Sequence, residues 1–236
     1  MLIFYPMGGT GTRFIKAGYY IPKPLLEMGG KKLIQWALES VKLLKGPYDF
    51  YHYAPTVELS CHPLLIGLLP PGCWHVVMEP TTGPLQTMLE AEGCLQKQEE
   101  LLICDCDSLM NQTELRDAVE VFRSTEATGG VTIRQTQDAN CSYAEVDREW
   151  WVSQTREKDP FTQWSTTGPY WFRSALQFLT AARKAAAAHH TSISPVYNYL
   201  PGRTKAVPVG SFRHLGTPEE YEQGCKDYAL LGVKDG

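Results

Sequence analysis

The sequence predicts an α/β fold, with a mostly parallel sheet flanked by helices and a smaller β-rich part inserted in its second half. Three observations predict it. Short apolar runs alternate with segments of helical period through the first half. The first run, Leu2–Tyr5, breaks into a glycine-rich loop. From Gly129 onward the pattern changes to strand-like runs separated by aromatics and turn residues. Strand, helix and strand in repetition require crossover connections, which favour parallel pairing with helices on both faces.

In order, Leu2–Tyr5, Asp49–Tyr53, Trp74–Met78 and Leu101–Cys104 read as strands, and Leu33–Leu44, Val57–Leu68, Pro84–Gln96 and Thr113–Phe122 as helices. In the second half, Val131–Arg134, Ser142–Val146, Trp151–Thr155 and Gly168–Phe172 read as strands. The alanine-rich Ala175–Ala188 favours helix, a short helix follows near Ser194–Leu200, and Lys205–Val209 reads as a strand. Pro218 suits the first turn of a closing helix over Thr217–Leu231. No repeat, low-complexity tract or linker divides the chain, so its 236 residues are expected to form one domain, with a division of labour near residue 128.

Composition narrows the function classes. With 22 basic and 26 acidic residues the formal charge is −4, which gives no broad cationic face for nucleic acid or an anionic membrane. Seven scattered cysteines include no pair with zinc-site spacing, so reduced thiols are expected, and Cys104 and Cys106 alternate as if packed under a sheet. The opening residues lack the basic flank of a signal peptide, and no apolar run approaches the ~20 residues of a membrane span. A soluble, cytoplasmic protein is the expectation.

The loop Pro6-Met7-Gly8-Gly9-Thr10-Gly11-Thr12-Arg13-Phe14 reads as a phosphate cradle. Its glycines let a polyphosphate approach backbone N–H groups, and Arg13 and Lys23 supply neutralising charge. It is not a Walker A loop, which needs Gly-Lys-Ser/Thr, nor a dinucleotide fingerprint, which needs a glycine where Phe14 stands. Asp105-Cys106-Asp107 sets two carboxylates on one side of an extended chain just beyond an apolar run. One or two protein carboxylates suffice for magnesium, since water and substrate phosphates fill its remaining positions. In a parallel sheet both features fall at the carboxyl rim, where ligands collect.

Together these motifs resemble the sugar-1-phosphate nucleotidyltransferase family, the nucleotide-sugar pyrophosphorylases. The resemblance extends through Pro22-Lys23-Pro24, Thr82-Gly83-Pro84-Leu85-Gln86-Thr87, Ser142-Tyr143, Glu157-Lys158, Thr167–Phe172, Pro195-Val196-Tyr197-Asn198 and Leu215-Gly216-Thr217-Pro218. It implies a Rossmann-like nucleotidyltransferase fold of the GT-A type, residues 1–128 mainly binding nucleotide and 129–236 mainly binding the acceptor. The implied reaction joins a nucleoside triphosphate and a sugar 1-phosphate, releasing pyrophosphate, for capsule or other surface polysaccharide synthesis. Such transfers rest on alignment and charge neutralisation more than on a base.

The resemblance further implies roles. Arg13 would hold the triphosphate, Lys23 would bridge acceptor and α-phosphate, and Asp107 would bind Mg2+ or Mn2+. Met7, Gly8, Gly9, Gly11, Thr12 and Asp105 would line the nucleotide, with Gly83 and Gln86 beside the base. Glu157, Lys158, Gly168 and Asn198 would contact the phosphorylated acceptor. Homo-oligomers are frequent in the family. Two positions depart from it: His214 stands where many relatives carry a second metal-binding aspartate, and His190 where many carry a sugar-contacting glutamate. Imidazole suits softer metals than magnesium, so either Asp105 supplies the second carboxylate, or phosphates and water complete the shell, or the activity is reduced or prefers manganese; His214 itself is a further candidate metal ligand. A non-sugar acceptor such as phosphocholine, a glycosyltransferase using Asp105-x-Asp107, and an inactive regulatory homologue are the rival readings.

Overall fold

The computed structural model describes residues 1–44, 50–96 and 99–230. The first strand, β1 (Leu2–Met7), passes through the glycine loop into the short helix α1 (Thr12–Lys16). A 3-10 turn, Lys23–Leu25, leads to the small hairpin of β2 (Glu27–Met28) and β3 (Lys31–Lys32), then to α2 (Leu33–Ser40). Next come β4 (Phe50–Pro55), α3 (Val57–Ser60), α4 (Pro63–Leu68) and β5 (Gly72–Trp74). The expected helix over Val57–Leu68 is split because Pro63 has no N–H to donate and restarts the helix as its first residue.

Helix α5 (Pro84–Glu90) runs into a 3-10 turn, Glu92–Cys94, before β6 (Leu101–Ile103) and β7 (Ser108–Met110). Helix α6 (Gln112–Ser124) starts where the side chain of Asn111 accepts from the N–H groups of Thr113 and Glu114. The second half supplies β8 (Gly129–Gln135), β9 (Ser142–Val146), β10 (Trp151–Glu157), β11 (Trp164–Phe172) and α7 (Ala175–Ala187). A 3-10 turn, Ser194–Tyr199, precedes β12 (Thr204–Pro208), β13 (Phe212–His214) and α8 (Pro218–Leu230). The expected element ends at Asp49 and Leu231 lie outside the described residues.

Among the described residues nine strands form one sheet in the order β5-β4-β1-β6-β11-β8-β12-β10-β9. The stretch β5-β4-β1-β6 is parallel, as the alternating pattern of the first half requires. Beyond β6 the pairing turns antiparallel at β11, and only β12 with β8 is parallel again. The sheet is therefore mixed rather than mostly parallel, because the second-half strands follow one another without the helical crossovers that parallel pairing needs. Those strands continue the same sheet. The expected strand Trp74–Met78 begins and ends earlier, at Gly72–Trp74, although the N–H groups of His75 and Val77 still donate to β4 carbonyls.

Strand periodicity divides the core. Leu2 and Phe4 face one side with Leu101, Ile103 and Phe172, covered by Leu85 and Met88 of α5 and Phe178 and Leu179 of α7. Ile3 and Tyr5 face the other with Leu102 and Trp171, covered by Ile34 and Ala37 of α2 and Leu115 and Phe122 of α6. Each such fully buried side chain contributes roughly 1.5–3 kcal/mol, and both layers pin the carboxyl ends of β1 and β6 side by side.

Candidate functional site

Because β1 and β6 are parallel neighbours, their carboxyl ends deliver the glycine loop and the Asp105–Asp107 segment to the same rim. Gly11 takes φ +64° where α1 begins, a left-handed conformation that favours glycine. Gly8 is fixed by close approach: a Cβ there would lie 2.8 Å from Oγ1 of Thr87, which is paired at 2.6 Å with Thr81. Gly9 is exposed, and a Cβ on it would meet nothing within 4 Å. Met7 is buried in the core, whereas Thr12 and Arg13 are exposed on α1. Arg13 has no ion-pair partner among the described residues. Its neighbour Phe14 packs with Leu26 and Leu215, which anchors α1 between the Lys23 turn and the segment after β13.

Lys23 stands between Pro22 and Pro24, whose rings restrict the backbone, and buried Pro24 and Leu25 anchor the turn. Its Nζ lies 2.6 Å from Oδ2 of Asp107. The pairing of β13 with β7 sets His214 opposite Ser108, and Leu215 N–H donates to the Asp107 carbonyl. His214 Nε2 thereby comes within 3.4 Å of the same Asp107 oxygen.

The electrostatics follow from that convergence. Asp107 is buried, which opposes its charge, yet Lys23 and then His214 hold its carboxyl far below the usual range. Burial likewise opposes charge on His214, but Asp107 outweighs it and the imidazole is pushed up to about 9. Lys23 is raised in the same way. Asp105 moves the other way: burial and then repulsion from Asp107 raise it. In the metal-free protein the shift of His214 favours the protonated imidazole at neutral pH.

Gly168 sits in β11 beside this acidic pair, where the register with β8 shifts between Thr167 and Tyr170. A Cβ at 168 would lie 2.4 Å from Oδ2 of Asp105. Burial and then the charge of Asp105 raise the neighbouring Tyr170 hydroxyl well above its usual range, with Glu157 of β10 adding to the effect. At β10, an open cavity of about 1080 Å³ is lined by Glu157, Lys158, His190, Asn198 and Tyr199 among others. Glu157 Oε2 accepts from Ser192 Oγ at 2.7 Å. Asn198 spends its amide on Thr155, accepting from its N–H at 2.8 Å and donating to its carbonyl at 2.8 Å.

Gly83 precedes α5, its backbone pressed against the Thr191 carbonyl, and Gln86 Oε1 accepts from the N–H and the hydroxyl of Thr82. Ser192 and the Thr81–Thr87 pair lie outside the expected set. Thr87 closes the Thr82–Thr87 motif, but nothing in the sequence marks Ser192 or Thr81, which matter through Glu157 and the Gly8 backbone, distant in the chain.

Comparison with known proteins gives a fold. No protein-family model matches the chain, and no curated protein matches it. Solved structures do. A nucleoside-diphosphate-sugar pyrophosphorylase from Vibrio cholerae RC9 superposes with a TM-score of 0.75 at 20% identity, over 95% of this chain and 99% of that one. UDP-glucose pyrophosphorylase complexed with UDP-glucose gives 0.78 at 16% identity, over 98% of each. The inositol-1-phosphate CTP transferase from T. maritima gives 0.75 at 15%, over 98% and 94%. The chain is similar to these proteins along nearly its whole length, and its fold is that of the sugar-phosphate nucleotidyltransferases.

Proposed function

We propose that this chain is a sugar-phosphate nucleotidyltransferase, joining a nucleoside triphosphate and a sugar 1-phosphate into a nucleotide-sugar with release of pyrophosphate. The observation that carries the reading is the convergence of Lys23, His214 and Asp107 beside the glycine loop. An acceptor phosphate oxygen attacks the α-phosphorus, forming a P–O bond as the α–β bridge breaks and its electrons leave with pyrophosphate. Arg13, carried on α1, offsets charge on the departing pyrophosphate, and Lys23 does so at the α-phosphate. The backbone of Gly8, Gly9 and Gly11 receives the triphosphate, with Gly83 and Gln86 beside the base. The cavity lined by Glu157, Lys158 and Asn198 takes the acceptor.

A divalent cation fits the residues present. Asp105 and Asp107 are hard oxygen donors, and the repulsion that raises Asp105 is what such an ion relieves. When bound, Mg2+ or Mn2+ would neutralise phosphate oxygens. His214 stands beside the pair, 3.4 Å from Asp107 Oδ2. Supply of nucleotide-sugar to surface polysaccharide synthesis is the role this reaction suits.

The test is pyrophosphate release from a matrix of nucleoside triphosphates and phosphorylated acceptors, including sugar 1-phosphates, inositol 1-phosphate and phosphocholine, with Mg2+. Release requiring one triphosphate and one sugar 1-phosphate is expected, falling at least ~100-fold in Arg13→Ala and Asp107→Asn. Turnover with phosphocholine alone would shift the acceptor class; tight nucleotide binding without release from any pair would replace the enzyme reading with that of a binding protein.

A further inference from the structure

Away from the carboxylate rim, the fold assembles three soft-metal donors that are scattered in sequence. His52 lies on β4, His75 follows β5, and Cys94 ends the 3-10 turn after α5. The parallel register sets His52 opposite Cys73, two residues before His75, and the His75 N–H donates to the Tyr53 carbonyl at 2.8 Å. His52 Nδ1 and His75 Nε2 are 2.8 Å apart, their rings stacked 5.1 Å apart with Phe4 beside both. One donor atom from each of His52, His75 and Cys94 falls within 4.8 Å of the others. Phe4 precedes Gly8 by four residues, so about 13 Å of strand separates this cluster from the phosphate loop.

We propose that His52, His75 and Cys94 form a binding site for a zinc-type divalent ion. Two imidazoles and a thiolate suit zinc or cobalt and disfavour magnesium. Zn–N bonds of about 2.0–2.1 Å place two ligand nitrogens about 3.3 Å apart, so the facing rings part by about half an ångström on binding. The proton between the rings moves to the far nitrogen of the ring that carries it, and the Cys94 thiol releases one proton to solvent. His75 and Cys94 are only partly buried, which gives water access to the fourth position. The ion ties the edge strand β5, through β4, to the end of the α5 segment, and stabilises the fold by mass action.

The experiment uses the full chain, stripped by chelator and held in excess Mg2+ so that the Asp105–Asp107 pair is occupied. The exposed thiols Cys61 and Cys73 and the half-buried Cys141 and Cys225 are replaced by serine, which leaves Cys94 as the accessible thiolate under test. Titrated Co2+ should bind with one equivalent, with a thiolate-to-cobalt charge-transfer band that Zn2+ displaces, and Zn2+ should raise the melting temperature. Cys94→Ser should abolish the band, and His75→Asn should weaken binding at least ~10-fold, a loss of about 1.4 kcal/mol. Both variants should keep the circular dichroism of the metal-free parent. Absence of a stoichiometric thiolate band, or variants that bind Co2+ like the parent, would overturn the site and leave a hydrogen-bonded histidine pair; neither result depends on transferase activity.

Discussion

The Lys23 ammonium lies 2.6 Å from the buried Asp107 carboxylate, joining a turn near the N-terminus to the segment after β6. Lys23→Met leaves that carboxylate without its nearest cation. Since His214 remains and the lysine is 27% exposed, the cost should fall at the low end for an unpaired buried charge, up to about 3 kcal/mol. A melting curve should drop by roughly 5–10 °C, with pyrophosphate release lost. Unchanged melting would mean that the pair contributes nothing to the fold.

Gly168 and Asp105 make a second close relationship. Gly168→Ala would drive a methyl to within 2.4 Å of Asp105 Oδ2, forcing carboxylate or strand to move. Overpacking of this kind costs about 1–3 kcal/mol, and turnover should fall more steeply than stability because the displaced group belongs to the acidic pair. Wild-type kinetics in this variant would remove Asp105 from the reaction.

The loop glycines separate packing from binding. Gly8→Ala collides with the buried Thr81–Thr87 pair and should destabilise by about 1–3 kcal/mol. Gly9→Ala meets no protein atom and should melt like the parent. If phosphates rest on that backbone, it should nonetheless weaken nucleotide binding about 10-fold, read by calorimetry. Equal nucleotide affinity in Gly9→Ala and parent would place the triphosphate elsewhere.

The His214–Asp107 contact predicts a pH effect in metal-free protein. The folded imidazole, pushed up to about 9 from an ordinary 6.5, binds its proton more tightly than in the unfolded chain. Its contribution is thus complete below about pH 6.5 and lost as pH rises through about 9. With His214 40% exposed, solvent screening keeps the pair to about 1 kcal/mol or less, no more than about 2–4 °C in melting temperature at this size. Melting of wild type and His214→Gln in chelator should differ at pH 6 and converge by pH 10; a constant gap would show that the ring acts by packing alone.

Much of this was legible because it is local. Glycines follow the apolar run of β1, prolines bracket Lys23, and Asp105 and Asp107 alternate just beyond β6; loop chemistry and a period of two record these without reference to the rest of the chain. The parallel first half was legible for the same reason. In the second half the strands themselves were legible but their order was not, since nothing within β8 to β12 states which neighbour each strand will pair with, and register is set by long-range packing.

What the sequence determined by itself is therefore the inventory: a glycine-rich loop, two cations, an acidic pair and the strands that present them. Tertiary structure alone decided the pairings. It set Lys23 and His214 on one oxygen of Asp107, turned Gly168 against Asp105, spent the Asn198 amide on Thr155, and gathered His52, His75 and Cys94. Each joins residues far apart in the chain, and such contacts form only once the burial of both sheet faces has offset the entropy of closing the intervening loops.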